Sequence, residues 1–167
     1  MINFRGKCEK MVDIMKFLEY NEEVRHRYFN TLVGLSWEEM VKNREASFHS
    51  LRNIFVHTLN AINYWLDFLQ NEKQYVRRQF IEYKNIEDVR RYMEHVEARL
   101  QKYVTSLTQE DLKRVYTTIN DLGNSVKICV EDVLIHLVEE EIHHRGELIA
   151  LLWQIGVKPP IMGWKNL

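Results

Sequence analysis

Glycine and proline are scarce in this chain. Six Gly and two Pro occur in 167 residues, and the two Pro are adjacent, at Pro159 and Pro160. An all-β chain needs turn punctuation every ten residues or so, and this sequence does not supply it. Long helices are what remains. The 46% hydrophobic and 28% charged residues are ordinary globular values and exclude disorder as the default state. A chain of this length buries roughly 70% of its extended surface, enough for one domain over residues 1–167 without metal or disulfide staples.

Hydrophobic spacing predicts four long helices. The first covers about residues 7–32, with Met11, Ile14, Met15, Leu18 and Val24 at an approximate 3.6-residue period. Ser36-Trp37-Glu38-Glu39 has the form of a capping box opening a short helical turn. The second long helix covers about residues 47–70, its seam being Leu51, Ile54, Phe55, Ile62, Trp65 and Leu69. Residues 71–84 carry mixed charges and aromatics. Fully extended, this segment reaches about 46 Å, enough to run back along a helix of about 36 Å, so a crossover connection fits here. The third helix starts from an Asn85 cap and runs to about residue 106, with Val89, Tyr92, Met93, Val96 and Leu100 on one face. Val115-Tyr116-Thr117-Thr118-Ile119 then has β character, and Asn120-Asp121-Leu122-Gly123-Asn124 is a turn signal, so a small hairpin or irregular excursion precedes the last helix. That helix covers about residues 130–155, with Gly156 at its left-handed cap and the two prolines beyond. The fold class is all-α, a four-helix bundle.

Charge and cysteine content exclude several functions. Twenty-three Lys and Arg balance 24 Asp and Glu, leaving no overall pull toward nucleic acid, and no nucleic-acid partner is expected. Cys8 and Cys129 form no C-x-x-C pair, and a reduced, cytoplasmic protein is the simplest reading. No signal-peptide core and no run of about 18 apolar residues occurs, so neither secretion nor a membrane span is expected.

The seam of the last helix is interrupted. Steps of three and four give Val133, Leu137, Glu140/Glu141, His144, Leu148, Leu152 and Ile155. Two ionisable turns stand in an otherwise apolar stripe, and burying them costs several kcal/mol unless each finds a partner. His136, Glu140 and His144 lie at i, i+4 and i+8 on one ridge, the spacing by which helices present two donors to one divalent ion. A His–Glu pair that satisfies itself, or an exposed ridge of ion pairs, explains the same residues. His57 sits mid-helix at a shoulder of the second helix's apolar face, where a lone His is ordinarily a packed core residue. With Glu140 and His144 it would complete two imidazoles and a carboxylate, a set able to hold a metal with open positions. His26, His49 and His95 lie among charged residues or off the seam and read as solvated.

These residues resemble a known family. Glu140-Glu141-Ile142-His143-His144-Arg145-Gly146-Glu147 is similar to the HExxHHRGQ-type signature of the DinB family, in the DinB/YfiT-like superfamily of proposed metalloenzymes. The stretch Ser47-Phe48-His49-Ser50-Leu51 through His57 to Trp65 resembles that family's second-helix pattern, and LLWQIGVKPP resembles its L-x-x-x-G-x-x-P ending. The resemblance implies an up-down-down-up bundle, which the 71–84 crossover would serve. It also implies a divalent metal, often nickel or zinc, held by three histidines, with His57 and His144 in two of those positions. Glu140 stands where the signature has its first His. Glu is a competent ligand, and a two-His, one-carboxylate set suits zinc, iron, manganese or nickel; the same exchange is what a member that has lost its metal would show. His143 is then a reserve ligand or outer donor, and His136 could orient Glu140.

Three functions follow. The resemblance implies a metal-dependent enzyme of thiol transfer, as in bacillithiol S-transferases and mycothiol-dependent maleylpyruvate isomerase, or of hydrolysis, acting on a small molecule with any thiol supplied by a cosubstrate. A metal-binding stress or interaction protein without turnover is the second, with Tyr75, Phe80, Tyr83 and Trp164 as a partner surface and a homodimer as the natural assembly. The third is a ferritin-like di-iron bundle, on the Glu-x-x-His pairs Glu140/His143, Glu141/His144 and Glu23/His26; it lacks a mid-helix Glu on the second helix.

Overall fold

The computed structural model describes residues 13–70, 79–120 and 122–163. The chain is mostly helical with one two-stranded sheet. Helix α1 is Ile14–Val33, α2 Trp37–Val41, α3 Leu51–Leu69, α4 Ile86–Thr105 and α5 Val130–Gln154; strands β1, Val115–Ile119, and β2, Ser125–Cys129, precede α5. Met11, Cys8, Tyr75, Trp164 and most of the expected crossover lie outside the described residues.

Capping side chains fix the helix starts. Asp13 accepts from the Met15 N–H (3.0 Å), Ser36 from Glu39 (3.2 Å) and Asn85 from Asp88 (3.0 Å). The Glu39 carboxylate does not close its expected box; it pairs with Arg44. Helix α3 starts at Leu51, four residues later than the spacing predicts. Two serines precede the seam, and the nearer one, Ser50, caps the helix by accepting from Asn53 (3.2 Å). His49, at φ 69°, turns the chain into that cap. Ser47 and Phe48 are thereby left off the helix, free to face α5.

The predicted seams form the core. Leu51, Ile54, Ile62 and Leu66 of α3 close against Val133, Leu137, Leu148 and Leu152 of α5, with Val89, Met93 and Val96 of α4 and Val24 and Leu32 of α1 completing the interior. Each such side chain contributes about 1.5–3 kcal/mol by leaving water. Polar pairs set helix direction. Tyr92 donates to Asn60 (2.8 Å) and Arg99 to Asp67 (2.7 Å), so α4 runs alongside α3 in the same direction. A parallel pair requires a long return connection between them, and only residues 79–84 of it are described, with one 3-10 turn at Phe80–Glu82.

The excursion before α5 is a hairpin, in the register Val115↔Cys129 to Ile119↔Ser125. Its half-buried face carries Tyr116, Thr118, Val126 and Ile128, and the Tyr116 hydroxyl donates to the Leu69 carbonyl at the end of α3 (2.9 Å). Gly156, at φ 73°, ends α5 as expected: Gly156 N–H reaches the Trp153 carbonyl (3.1 Å) and Val157 N–H the Leu152 carbonyl (2.9 Å).

Candidate metal centre

The antiparallel packing of α3 on α5 brings His57, Glu140 and His144 together. One donor atom from each lies within 4.8 Å of the other two. One Glu140 oxygen, Oε1, faces both rings, 2.9 Å from His57 Nε2 and 3.1 Å from His144 Nε2. The two rings meet edge to face at 4.6 Å. The His57 and Glu140 side chains are 20% and 21% exposed and that of His144 7%, so the cluster sits at the core's edge with an open side.

The loop before α3 supports the cluster. Phe48 stacks on His57, centroids 3.9 Å apart and planes 19° from parallel, and meets the His144 ring at 5.3 Å. Ser47 Oγ donates to Glu147 Oε2 (2.7 Å), and the same oxygen lies 3.0 Å from His144 Nδ1. A carboxylate beside Nδ1 favours a proton on that nitrogen and fixes the ring with Nε2 facing the cluster, the arrangement that orients metal-binding histidines. Sequence reasoning missed Glu147 and Ser47. They are 100 residues apart, and the available sign was Glu147 at i+3 from His144 on a half-buried face.

Hydrogen bonds from His144 and His57 hold the Glu140 carboxyl far below the usual carboxylate range, against the opposing effect of burial. Burial pushes the His144 imidazole down, but Glu140 and Glu147 outweigh it and raise its pKa. Glu147 is also lowered: burial opposes, while His144 and Ser47 favour the anion. Glu140 thus lies between the two imidazoles and Glu147 beside His144 alone, placing two carboxylates at the cluster.

The residues fit a divalent ion. Two imidazoles and a carboxylate form a recognised ligand set with open positions. Ligands at 2.0–2.2 Å in tetrahedral geometry stand about 3.3 Å apart, close to the present separations of 2.9 and 3.1 Å. His57 faces the cluster through Nε2, and its Nδ1 is buried without a hydrogen-bond partner.

The other candidates fall elsewhere. His136 is directed at Trp65 (ring centroids 5.4 Å) and Glu139 (3.7 Å), with no hydrogen bond to Glu140. His143 is exposed and lies flat against His144, centroids 4.8 Å apart. His49 and His95 are exposed, whereas His26 pairs with Glu97 (3.1 Å). Glu141 points away from the cluster and receives both Arg25 Nη2 (2.6 Å) and Nε (3.1 Å). Glu23 pairs with Arg27 near the surface. With Glu141 and Glu23 so engaged, the Glu-x-x-His pairs do not assemble a di-iron site among the described residues.

The sequence model of the DinB family matches residues 6–166. The chain belongs to the DinB family. It is 23% identical over 146 residues to the uncharacterised Bacillus subtilis protein YizA, covering 87% of this chain and 90% of that one. It is 26% identical over 151 residues to Bacillus subtilis protein DinB, covering 84% and 85%. A DinB-like protein from Bacillus cereus superposes with a TM-score of 0.69 at 17% identity, over 90% of this chain and 95% of that one. One from Bacillus subtilis gives 0.55 at 18%, over 89% and 95%. The fold is DinB-like, as the sequence motifs imply. Among the described residues no helix is long and apolar enough to cross a membrane.

Proposed function

We propose that this DinB-family protein binds one divalent metal through His57, Glu140 and His144 and uses it in thiol transfer or hydrolysis on a small molecule. The observation that carries this reading is the meeting of three donors from two helices around one carboxylate oxygen. Nickel, zinc, manganese and iron all suit the set, and Glu140 in place of a histidine favours the harder ones. When bound, the ion supplies Lewis acidity that makes a thiol or water nucleophilic near neutral pH.

The chain's own groups do the positioning. Glu147 keeps His144 in the tautomer that presents Nε2, and Phe48 braces the His57 ring. The open side at Glu140 and His57 leaves room for substrate. Cys129 is not a candidate nucleophile: burial and the Asp132 hydrogen bond push its thiol up. A thiol would then come from a cosubstrate. The four long helices are read as an up-down-down-up bundle, supported by the parallel α3–α4 pair and the antiparallel α3–α5 pair, and the free Cys129 thiol suits the cytoplasm.

Elemental analysis of tag-free protein purified without chelator, beside His57→Ala, tests the reading. About one equivalent of metal in the native protein, lost in the variant, supports it and leads to chelator-reversible thiol-transfer and hydrolysis assays. No metal in either, even after incubation with nickel, zinc and manganese, rejects it in favour of a DinB-like protein with a degenerate site.

A further inference from the structure

The ridge His136–Glu140–His144 extends one turn beyond the cluster, and there it borders a groove of about 320 Å³. Trp65 of α3 and Val133 and His136 of α5 form its floor, and the hairpin covers it through Thr118 and Val126. Those two are cross-strand partners on the hairpin's half-buried face. Trp65 lies eight residues past His57 on α3, about 12 Å along the helix, and His136 lies four before Glu140 on α5, about 6 Å. Because α3 and α5 are antiparallel, both displacements point the same way. Ala61, a half-buried and minimal side chain, stands between His57 and Trp65 on that face.

A cavity of this size is at the small end of those that hold small molecules, and it is too short for a folded partner. Its walls are mostly apolar and aromatic, with Thr118, Asn120, Asp132 and His136 as the polar groups of the lining. Trp65 is half-buried beside the closed core residues Ile62 and Leu66, so its ring borders the groove.

We propose that the groove is the subsite for the body of the substrate: a flat apolar group joined by a short linker to a donor that reaches His57, Glu140 and His144. This rests on the metal reading above. It assigns to Trp65 and to the hairpin a role in selecting the molecule, and it makes aryl-alkyl compounds the preferred class. An aromatic ring gains both from leaving water and from contact with the Trp65 ring.

The test uses two hydroxamates with the same metal-binding group, acetohydroxamate and 3-phenylpropanohydroxamate, titrated into cobalt-loaded protein and followed by the cobalt visible spectrum. The expected result is binding of the phenyl compound roughly tenfold tighter or more. That preference should collapse toward unity in Trp65→Ala and in Thr118→Trp, which fills the groove from the hairpin side. The cobalt spectrum of each variant before ligand is added reports whether its cluster is intact. Equal affinity of the two compounds for native protein, or a preference that survives both variants, overturns the subsite while leaving the metal centre in place. Failure of the protein to take up cobalt rejects the metal reading and the subsite with it, whereas a cobalt spectrum that neither compound perturbs overturns the subsite alone.

Discussion

Glu140 and Glu141 are neighbours on the same helix and meet opposite fates. Glu141 turns inward and is locked by Arg25, whose guanidinium also grips Glu97 (2.6 Å). Arg25 is fully desolvated; burial works against its charge, yet Glu141 and Glu97 more than restore it and raise its pKa. Arg145, one turn along, donates to Asn21 (2.7 Å), so this side of α5 is a closed polar network with a permanent cation. Glu140, about 100° around the helix, pairs among the described residues with imidazoles and not with a guanidinium or ammonium. Its partners are two imidazoles, side chains whose ring nitrogens serve as metal ligands when neutral. A fixed countercharge makes a glutamate structural. Imidazole partners with an open side leave one without such a lock.

The largest expected effect breaks the structural side. Glu141→Ala leaves Arg25 buried with half its countercharge and should cost about 3–5 kcal/mol in urea unfolding. A loss below about 1 kcal/mol would mean that the network is not what holds α1 on α5. On the other side, His144→Ala should abolish metal binding while the bundle remains folded, because the apolar seam residues around it still supply the core. If that variant unfolds and no metal is ever found, Glu140 is as structural as Glu141 and the contrast disappears.

A smaller effect sharpens the contrast. Glu147→Gln removes the anion that orients His144 and should weaken metal affinity about 10–100-fold by competition with a chelating dye. Ser47→Ala should weaken it less, since Ser47 acts only through Glu147.

Acidity separates the two regions further. The lowered Glu140 carboxyl contributes stability above about pH 4.3, the ordinary value, lost as pH falls through its depressed pKa. The raised His144 contributes stability that is complete below about pH 6.5 and is lost as pH rises through its elevated pKa. Metal-free protein should therefore lose stability as pH rises above about 6.5, by a modest amount. Metal binding needs neutral His144 and should strengthen over the same range. Thermal unfolding across pH 5–9, with and without zinc, checks this. Parallel curves would show that metal and proton do not compete for His144.

Most of the fold is legible from the residues. The helix seams, the Asn85 cap, the hairpin and the Gly156 stop follow from local chemistry, and each occurs where the spacing puts it. The start of α3 does not, because both Ser47 and Ser50 can cap and only the tertiary contact of Ser47 with Glu147 decides between them. The grouping of His57 with Glu140 and His144 follows from a broken seam and a lone histidine at the shoulder of another, and the family resemblance agrees with it for His57 and His144. The different roles of Glu140 and Glu141 were not legible. Both interrupt the same stripe, and the partner that separates them, Arg25, lies 116 residues from Glu141 in the chain. His136 shares the ridge but faces Trp65, since the i+4 spacing places side chains near one another without fixing which way each ring turns.

Calorimetric titration of zinc into metal-free protein at pH 7.5, comparing native, Glu140→Gln and Glu141→Gln, addresses the contrast most directly. One equivalent bound by native protein and by folded Glu141→Gln, with binding lost in Glu140→Gln, is the predicted result. Equal binding by all three, or loss in Glu141→Gln as complete as in Glu140→Gln, would contradict it.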